Sequence, residues 1–175
     1  TSALIMSNPK YFKYEMIWQK SIPSNFMQVN RMPLKYHENI LVFFNNPSTY
    51  NKVYIFERED SGKERYKYKI NSDRTQSEQY YIERNKTKYD IEKKNPMSVV
   101  KINNETRNNG CIHPTQKPIE LFSYFIKTYT NENDIVFDGY SGSGTTAIAC
   151  IRNNRKYIIC ENKKEYFDLQ TKRIL

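Results

Sequence analysis

The sequence has 175 residues and a formal net charge of +9, which fits one domain with an inserted lobe and favours a polyanionic partner, most simply nucleic acid. A basic surface that serves only solubility gives the same charge, whereas the 15 Tyr and 9 Phe argue against a disordered chain. The three cysteines are well separated, which argues against a disulfide framework, and the two histidines are too far apart to suggest a metal cluster. The sequence has no signal peptide and no apolar run of roughly 20 residues. A cytoplasmic protein with reduced thiols is therefore predicted.

The first 44 residues predict a short helix followed by two strands. The helix covers Thr1–Asn8, with Thr1 as its N-terminal cap. Residues 14–20 favour a strand, in which Trp18 is expected to belong to the core rather than to stack on a base. The continuous apolar run 39–44 is typical of a strand that is buried on both faces.

Residues 45–110 are basic and rich in tyrosine. Between residues 50 and 101 there are 13 Lys or Arg against 9 Asp or Glu, and seven Tyr lie between residues 50 and 89. A segment of this composition builds little core of its own, so a solvated insertion is one interpretation. In the functional interpretation, Lys and Arg contact phosphates while Tyr and Asn reach or stack on bases.

Residues 111–175 predict a parallel α/β unit. Pro118 is expected to begin a helix, because apolar residues recur at helical spacing from Ile119 to Tyr129. The pattern then predicts strand, helix, strand and helix over residues 134–138, 145–153, 156–161 and 163–175. Each of the two strands ends in an acidic residue.

A glycine-rich turn, residues 138–146 (Asp-Gly-Tyr-Ser-Gly-Ser-Gly-Thr-Thr), joins the first of these strands to its helix. It does not suit a phosphate-binding P-loop, because Thr145 stands where that loop requires lysine. From Gly142 onward the turn matches the Gly-x-Gly-x-x-Ala form of the dinucleotide-binding fingerprint, and Glu161 is placed to bind a ribose. A lone match of this kind is weak evidence. A tight turn that binds nothing is a further alternative.

S-adenosylmethionine suits the turn better than a nucleotide does, since it is a cation without phosphates. Asp138 ends the strand before the turn, and Glu161 ends the next strand, where it can accept ribose hydroxyl protons. Gly142 and Gly144 let the backbone approach a ligand without an intervening Cβ atom. Acidic residues at adjacent strand ends therefore predict a site for a cationic nucleoside.

Residues 113–118 (His-Pro-Thr-Gln-Lys-Pro), placed shortly before the glycine-rich turn, resemble the paired cofactor motifs of β-class DNA amino-methyltransferases. Residues 14–20 and 37–43 resemble later strands of that family, whose motifs stand in circularly permuted order. The resemblance implies an α/β fold with a Rossmann-like sheet that binds S-adenosylmethionine. It implies that residues 1–44 are the C-terminal part of the catalytic subdomain, residues 45–110 a target-recognition insertion and residues 111–175 an S-adenosylmethionine-binding subdomain.

By this resemblance, Thr115 and Lys117 lie at the methionine end of the cofactor and Asp138 faces its amino group. Glu161 holds the ribose and Asn162 lies near the adenine ring. For Lys117, an ordinary surface lysine before a helix is the alternative. The full set of cofactor-binding residues implied is Thr115, Gln116, Lys117, Asp138, Gly139, Ser141, Gly142, Ser143, Gly144, Thr145, Glu161 and Asn162.

The sequence departs from the family pattern in two places. Gly139 and Tyr140 replace the usual Pro and Phe, and Gly139 is expected to loosen the corner and weaken binding. The sequence contains no Pro-Pro pair, so the Asp-Pro-Pro-Tyr type tetrapeptide is absent and no catalytic residue is assigned. We expect the strand that carries it to precede Thr1. Its absence would leave a gap in the central sheet, with edges that favour association with that segment or with a second copy.

The resemblance implies a site-specific DNA methyltransferase of a bacterial or phage restriction-modification system. Its substrate is the exocyclic amine of adenine in double-stranded DNA, with cytosine the less favoured base. Little methyl transfer is expected from these 175 residues alone. The alternatives are a non-catalytic DNA-binding remnant of a methylase, an RNA or protein methyltransferase, and a nicotinamide-dependent enzyme.

Overall fold

The computed structural model describes residues 1–46, 48–54, 95–105 and 116–175. The chain divides into two compact units, one made of Thr1–Val53 and Pro96–Leu175 and the other of Tyr54–Asn95. Most of the insertion predicted at 45–110 lies outside the described residues. All the helices and strands given next belong to the first unit. In chain order they are α1 (Ser2–Ser7), β1 (Phe12–Ser24), a 3₁₀ turn (Phe26–Gln28), β2 (Lys35–Phe43), β3 (Val99–Lys101), α2 (Ile119–Tyr129), β4 (Ile135–Asp138), α3 (Thr145–Arg152), β5 (Lys156–Ile159) and α4 (Lys164–Ile174).

A three-stranded sheet with the order β2-β1-β3 is built on the long strand β1. β2 pairs with β1 antiparallel, and β3 pairs with its other edge in parallel. Because side chains alternate along a strand, Met16, Trp18 and Lys20 point to one face and are buried together. The indole N–H of Trp18 donates to the carbonyl oxygen of Ile102 at 2.8 Å. The prediction that Trp18 belongs to the core is confirmed.

β2 is less buried than its sequence predicts. The apolar run 39–44 was expected to be covered on both faces, yet Asn39 is exposed and residues 40–44 are only half-buried. One edge of β2 pairs with β1, and among the described residues no strand pairs with the other edge. An edge strand lacks a neighbour on one side, which accounts for the incomplete burial.

β4 and β5 form a parallel pair that is connected through α3. The helices α2 and α3 cover one face of this pair, where Ile126, Ala149 and Cys150 form a small core against Val136 and Tyr157. Burial raises the pKa of the Cys150 thiol to about 11, so this thiol is a packing group at neutral pH. The predicted strand-helix-strand-helix unit is confirmed.

Three local details differ from the sequence prediction. Pro118 has extended backbone angles and therefore precedes α2 as its cap instead of forming its first residue. Thr1 occupies the cap position of α1, but its side chain makes no capping hydrogen bond. The short strand β3 was not predicted, since three residues carry too little pattern to be recognised.

The three-stranded and two-stranded sheets share no backbone pairing among the described residues. The strand expected between them stays a prediction. Within the same residues, no helix is both long enough and apolar enough to cross a membrane.

Candidate cofactor-binding site

A cavity of 870 Å³ opens beside the carboxyl ends of β4 and β5. Its volume lies within the roughly 300–1,000 Å³ of typical small-molecule sites. Trp18 and Glu38 of the three-stranded sheet line one side, and the aromatic residues of α2 line another. These aromatic residues, Phe122, Phe125 and Tyr129, are among those whose helical spacing predicted α2. They form an apolar wall of the cavity.

The carboxylate of Asp138 is fixed at the end of β4 by the turn that follows it. Its Oδ1 accepts a hydrogen bond from the backbone N–H of Tyr140 at 2.9 Å, and its Oδ2 accepts one from the hydroxyl of Thr146. Its backbone oxygen accepts from the N–H of Cys160 at 2.8 Å, which links β4 to the end of β5. Each carboxylate oxygen has a second lone pair, so Asp138 can also accept a bond from a ligand in the cavity.

Glu161 approaches the same turn from the loop that follows β5, because the strand ends at Ile159 and not at Glu161 as predicted. Its Oε2 accepts from the backbone N–H of Gly142 at 2.9 Å, and its Oε1 accepts from that of Lys163 at 3.0 Å. The carboxylate thus holds the glycine-rich turn against the start of α4. Asp138 and Glu161 both line the cavity, so the two carboxylates that the sequence singles out face a common space.

The glycines of the turn have different structural requirements. Gly142 and Gly144 have φ angles of +52° and +76°, in the left-handed region that favours glycine. A Cβ atom on Gly142 would meet no atom within 4 Å, because this position faces open space beside the cavity. A Cβ atom on Gly144 would lie 3.0 Å from Cβ of Gln170 and 3.2 Å from Cδ1 of Ile174.

We expect Gly144→Ala to destabilise the protein and Gly139→Ala to be tolerated. The first change combines close contacts with a left-handed backbone that costs about 1–2 kcal/mol in an L-residue. At Gly139 no positive φ occurs, and an added Cβ comes no closer than 3.6 Å to the ring of Phe137. Urea unfolding followed by the fluorescence of the single tryptophan, Trp18, measures both variants. Equal midpoints for the two variants would contradict this interpretation.

Three side chains that the sequence did not indicate as site residues support the turn from outside. Gln170 is buried, and its Oε1 accepts a hydrogen bond from the hydroxyl of Ser141 at 2.7 Å. Arg173 donates to the backbone oxygen of Ser143 at 3.1 Å and pairs with Glu105 at 3.7 Å. Of these three side chains, only Gln170 gave a sequence signal, as a polar residue in an apolar helical pattern. Glu105 and Arg173 gave none, because they are far apart along the chain.

Lys117 reaches across the cavity to the three-stranded sheet. Its Nζ lies 2.5 Å from Oε2 of Glu38 and 5.5 Å from the centre of the Trp18 ring. Oε1 of Glu38 lies 3.5 Å from Nζ of Lys20, a buried lysine. Burial raises the pKa of the Glu38 carboxyl, but the hydrogen bond from Lys117 and the charges of Lys117 and Lys20 outweigh it and leave the pKa below its usual value. Glu38 is therefore an anionic bridge between two cations.

This lowered pKa predicts an acid-sensitive contribution of Glu38 to stability. A carboxyl with a lowered folded-state pKa stabilises the protein above its unfolded-state pKa of about 4.3, and the contribution is lost as the pH falls through the folded-state pKa. We expect the wild type to be more stable than Glu38→Gln by about 1 kcal/mol at pH 7, a value discounted for solvent screening. The difference should shrink toward zero in acid. The exposed Glu132→Gln is the control, and a difference that is constant or grows on acidification would contradict the prediction.

Most residues of the predicted cofactor set are brought together around the cavity. Thr115 lies outside the described residues, and Gly139 and Gly144 belong to the turn without lining the cavity. The described residues contain no group of His, Cys, Asp and Glu side chains placed to hold a metal ion. The residues of the predicted cofactor set that line the cavity are Gln116, Lys117, Asp138, Ser141, Gly142, Ser143, Thr145, Glu161 and Asn162.

Comparison with protein families finds one family model, described as DNA methylase, that matches residues 2–173. The orphan methyltransferase M.BamHII of Bacillus amyloliquefaciens is 48% identical over 62 residues, which covers 35% of this chain and 23% of that protein. The type II methyltransferase M2.MboI of Moraxella bovis is 44% identical over 61 residues, which covers 35% and 22%. These matches span about a quarter of the length of the curated relatives.

Two solved structures resemble the fold along nearly the whole chain. The M1.HpyAVI complex with S-adenosylmethionine (SAM) gives a TM-score of 0.60 at 23% identity, with 98% of this chain and 66% of that chain covered. The PvuII DNA methyltransferase, described as cytosine-N4-specific, gives a TM-score of 0.60 at 21% identity, with 99% and 55% covered. At these identities the likeness establishes the fold, which is the Rossmann-like α/β fold predicted from the sequence.

Proposed function

Because this chain belongs to the DNA methylase family that its sequence matches over residues 2–173, we propose that it forms the cofactor-binding part of a DNA amino-methyltransferase. The proposed reaction moves a methyl group from S-adenosylmethionine to the exocyclic amine of a base in double-stranded DNA. Adenine is the proposed base, and cytosine is the alternative. The proposal depends chiefly on one observation, the pair of carboxylates that face the cavity from the ends of β4 and β5.

The described residues fit S-adenosylmethionine better than a phosphate-bearing nucleotide. Asp138 and Glu161 offer negative charge and acceptor oxygens at the turn, which suits a cation with an amino group and ribose hydroxyls. Gly142 leaves the space beside the turn open, since an added Cβ would meet nothing within 4 Å. The aromatic wall of α2 provides an apolar surface in the same cavity.

In this proposal each side chain has a separate task. Asp138 binds the amino group of the cofactor, Glu161 accepts bonds from the ribose hydroxyls, and Asn162 lies near the adenine ring. Lys117, held by Glu38, lies at the methionine end. When bound, the cofactor supplies an electrophilic methyl group on sulfur, and the residues of this chain orient it.

Transfer to a base amine also requires that the base leave the helical stack and that its amino group be oriented. The sequence has no Pro-Pro pair and hence no tetrapeptide of the type that performs this in the resembled family. We therefore propose that these 175 residues alone transfer little or no methyl group. Robust incorporation of tritiated methyl groups into duplex DNA by this chain would contradict that point.

Retention of radiolabelled S-adenosylmethionine on a filter tests the proposed cofactor. We expect S-adenosylhomocysteine to displace the label and NADH to leave it bound. A chain that binds NADH, and neither sulfur compound, would contradict the proposal and favour a nicotinamide-dependent enzyme. If methyl transfer occurs with a longer chain, mass spectrometry of the digested DNA distinguishes N6-methyladenine from N4-methylcytosine.

A non-catalytic DNA-binding remnant is the second candidate, and the missing Pro-Pro pair is the observation that favours it. Such a remnant would bind duplex DNA and retain no S-adenosylmethionine in the same filter assay. Retention of the cofactor would exclude it in its simplest form. Competition among duplex DNA, RNA and peptide then separates a DNA enzyme from an RNA or protein methyltransferase.

A further inference from the structure

The connection between β1 and β2, residues 25–34, is an ordered turn. Asn25 has a left-handed φ of +68°, and a 3₁₀ turn follows it directly. The N–H of Gln28 donates to the carbonyl oxygen of Asn25 at 2.9 Å. The N–H groups of Arg31 and Met32 donate to the carbonyl oxygen of Gln28 at 2.8 and 3.0 Å. The backbone of this turn is therefore fixed by its own hydrogen bonds.

The same turn presents apolar side chains to solvent. Met27 is fully exposed at 102%, and Phe26, Val29 and Met32 are exposed to 57%, 56% and 47%. Single exposed apolar residues are ordinary on protein surfaces, but a concentrated group on one ordered turn indicates a binding surface. A flexible loop can bury such side chains by collapsing, whereas a hydrogen-bonded turn holds them outward.

Two exposed cations, Arg31 and Lys35, belong to this apolar turn or directly follow it. Residues 16–37 contain no Asp or Glu, and the third cation of this stretch, Lys20, is buried and paired with Glu38 at 3.5 Å. A surface that combines exposed apolar side chains with exposed cations is complementary to duplex DNA, which has anionic phosphates outside and apolar base faces inside. A second copy of this chain would bring the same cations together, so self-association is disfavoured by charge repulsion.

The turn also lies beside the candidate site. A smaller polar cavity of 360 Å³ at the base of the turn is lined by Asn25 and Lys35, together with Glu38 and Asn39. Glu38 and Asn39 also line the larger cavity. DNA that approached the larger cavity from this side would meet the turn. The turn is thus close to the larger cavity, within reach of a duplex that covers both.

We propose that the β1–β2 turn inserts Phe26 and Met27 into a DNA groove, against or between base pairs, while Arg31 and Lys35 contact phosphates. Apolar wedges of this kind unstack neighbouring bases, which lowers the cost of extruding an adjacent base. The inference rests on the proposed function, because it takes duplex DNA as the substrate. It assigns a DNA-deforming role to a turn outside the predicted target-recognition insertion at 45–110.

Fluorescence anisotropy of a labelled duplex, measured with the chain across a range of salt concentrations, tests the phosphate contact. At 0.1 M salt we expect Arg31→Gln to weaken binding about 5- to 10-fold and to reduce the logarithmic salt slope by about one, as the loss of one phosphate contact requires. The control is Lys127→Gln, at an exposed lysine on α2, which should change neither quantity. Equal effects of the two changes would overturn the proposal.

A duplex that contains 2-aminopurine tests insertion, because the fluorescence of this base rises when it is unstacked. We expect the unmodified chain to raise the signal and the double variant Phe26→Ala, Met27→Ser to abolish the rise. The double variant should also bind about fivefold or more weakly, as expected for a lost base contact, with an unchanged salt slope. The control is Phe167→Ala, at a phenylalanine of α4 that is exposed to 50%.

Retention of S-adenosylmethionine by each variant separates two kinds of failure. If the variants retain the cofactor and bind DNA as the unmodified chain does, the turn has no role in DNA binding and the proposed function stands. If the unmodified chain retains the cofactor but binds phosphatidylserine vesicles instead of DNA, the inference is wrong, and a loss of vesicle binding in the double variant would identify the turn as a lipid-binding surface. If the cofactor is not retained at all, the proposed function itself fails.

Discussion

Glu161→Ala is expected to lower the affinity of the chain for S-adenosylmethionine about 100-fold. The carboxylate is proposed to accept bonds from the ribose hydroxyls, and hydrogen bonds to a charged group contribute about 1.5–3 kcal/mol each. It also anchors the N–H groups of Gly142 and Lys163, at 2.9 and 3.0 Å, so its removal loosens the turn around the ligand. A loss of about 3 kcal/mol corresponds to the stated factor.

Glu165→Ala is the matched control for this prediction. Glu165 is an exposed residue in the first turn of α4, close to Glu161 along the chain, and it does not line the cavity. Its replacement should leave the affinity unchanged within about twofold, as expected for an exposed charge. Glu161→Gln should be intermediate, because an amide oxygen keeps an acceptor but lacks the charge. An unchanged affinity in Glu161→Ala would show that the ribose is bound elsewhere.

Arg173→Ala is expected to destabilise the protein by about 2–4 kcal/mol. The guanidinium of Arg173 donates to the backbone oxygen of Ser143 at 3.1 Å, to its hydroxyl at 3.2 Å and to the hydroxyl of Thr145 at 3.2 Å. It also pairs with Glu105 at 3.7 Å, and both side chains are only 15% exposed. Truncation therefore leaves the mostly buried carboxylate of Glu105 without the guanidinium of Arg173. It also removes the donor that holds the glycine-rich turn at Ser143 and Thr145.

One further variant separates charge from geometry at this position, and a second is a control at the neighbouring residue. Arg173→Lys retains the positive charge but not the planar group of donors, so it should recover only part of the lost stability. Lys172→Ala, at the exposed neighbouring position, should change the free energy of unfolding by less than about 0.5 kcal/mol. Urea unfolding followed by Trp18 fluorescence compares all three. A loss in Arg173→Ala no larger than that in Lys172→Ala would mean that the arginine does not support the turn.

The strand-turn-helix unit around Asp138 was predictable because its determinants are local. A short apolar strand, a glycine-rich turn and a helix with small residues follow one another along the chain, and the structure has them as β4, the turn and α3. Gly144 has the positive φ that the predicted close turn requires. The meeting of Asp138 and Glu161 also follows from sequence, since parallel strands connected by a helix place their carboxyl ends at one edge of the sheet.

The parts that were missed depend on contacts between distant residues. Glu38 bridges Lys20 and Lys117, and Arg173 pairs with Glu105, at separations that no periodic pattern encodes. The burial of β2 was overestimated for a related reason, because composition indicates an apolar strand but not whether a second strand pairs with it. Local patterns thus predicted the glycine-rich turn and the two carboxylates beside it, whereas the ionic contacts that support them required the three-dimensional structure.

Isothermal titration calorimetry with S-adenosylmethionine tests most directly the claim that two carboxylates at the ends of β4 and β5 form a site for a sulfonium nucleoside. We predict that the unmodified chain binds the cofactor at one site and that Asp138→Asn abolishes the binding heat. Asp134→Asn, at the other end of β4, should bind like the unmodified chain. Absence of binding heat with the unmodified chain, or unimpaired binding by Asp138→Asn, would contradict the claim.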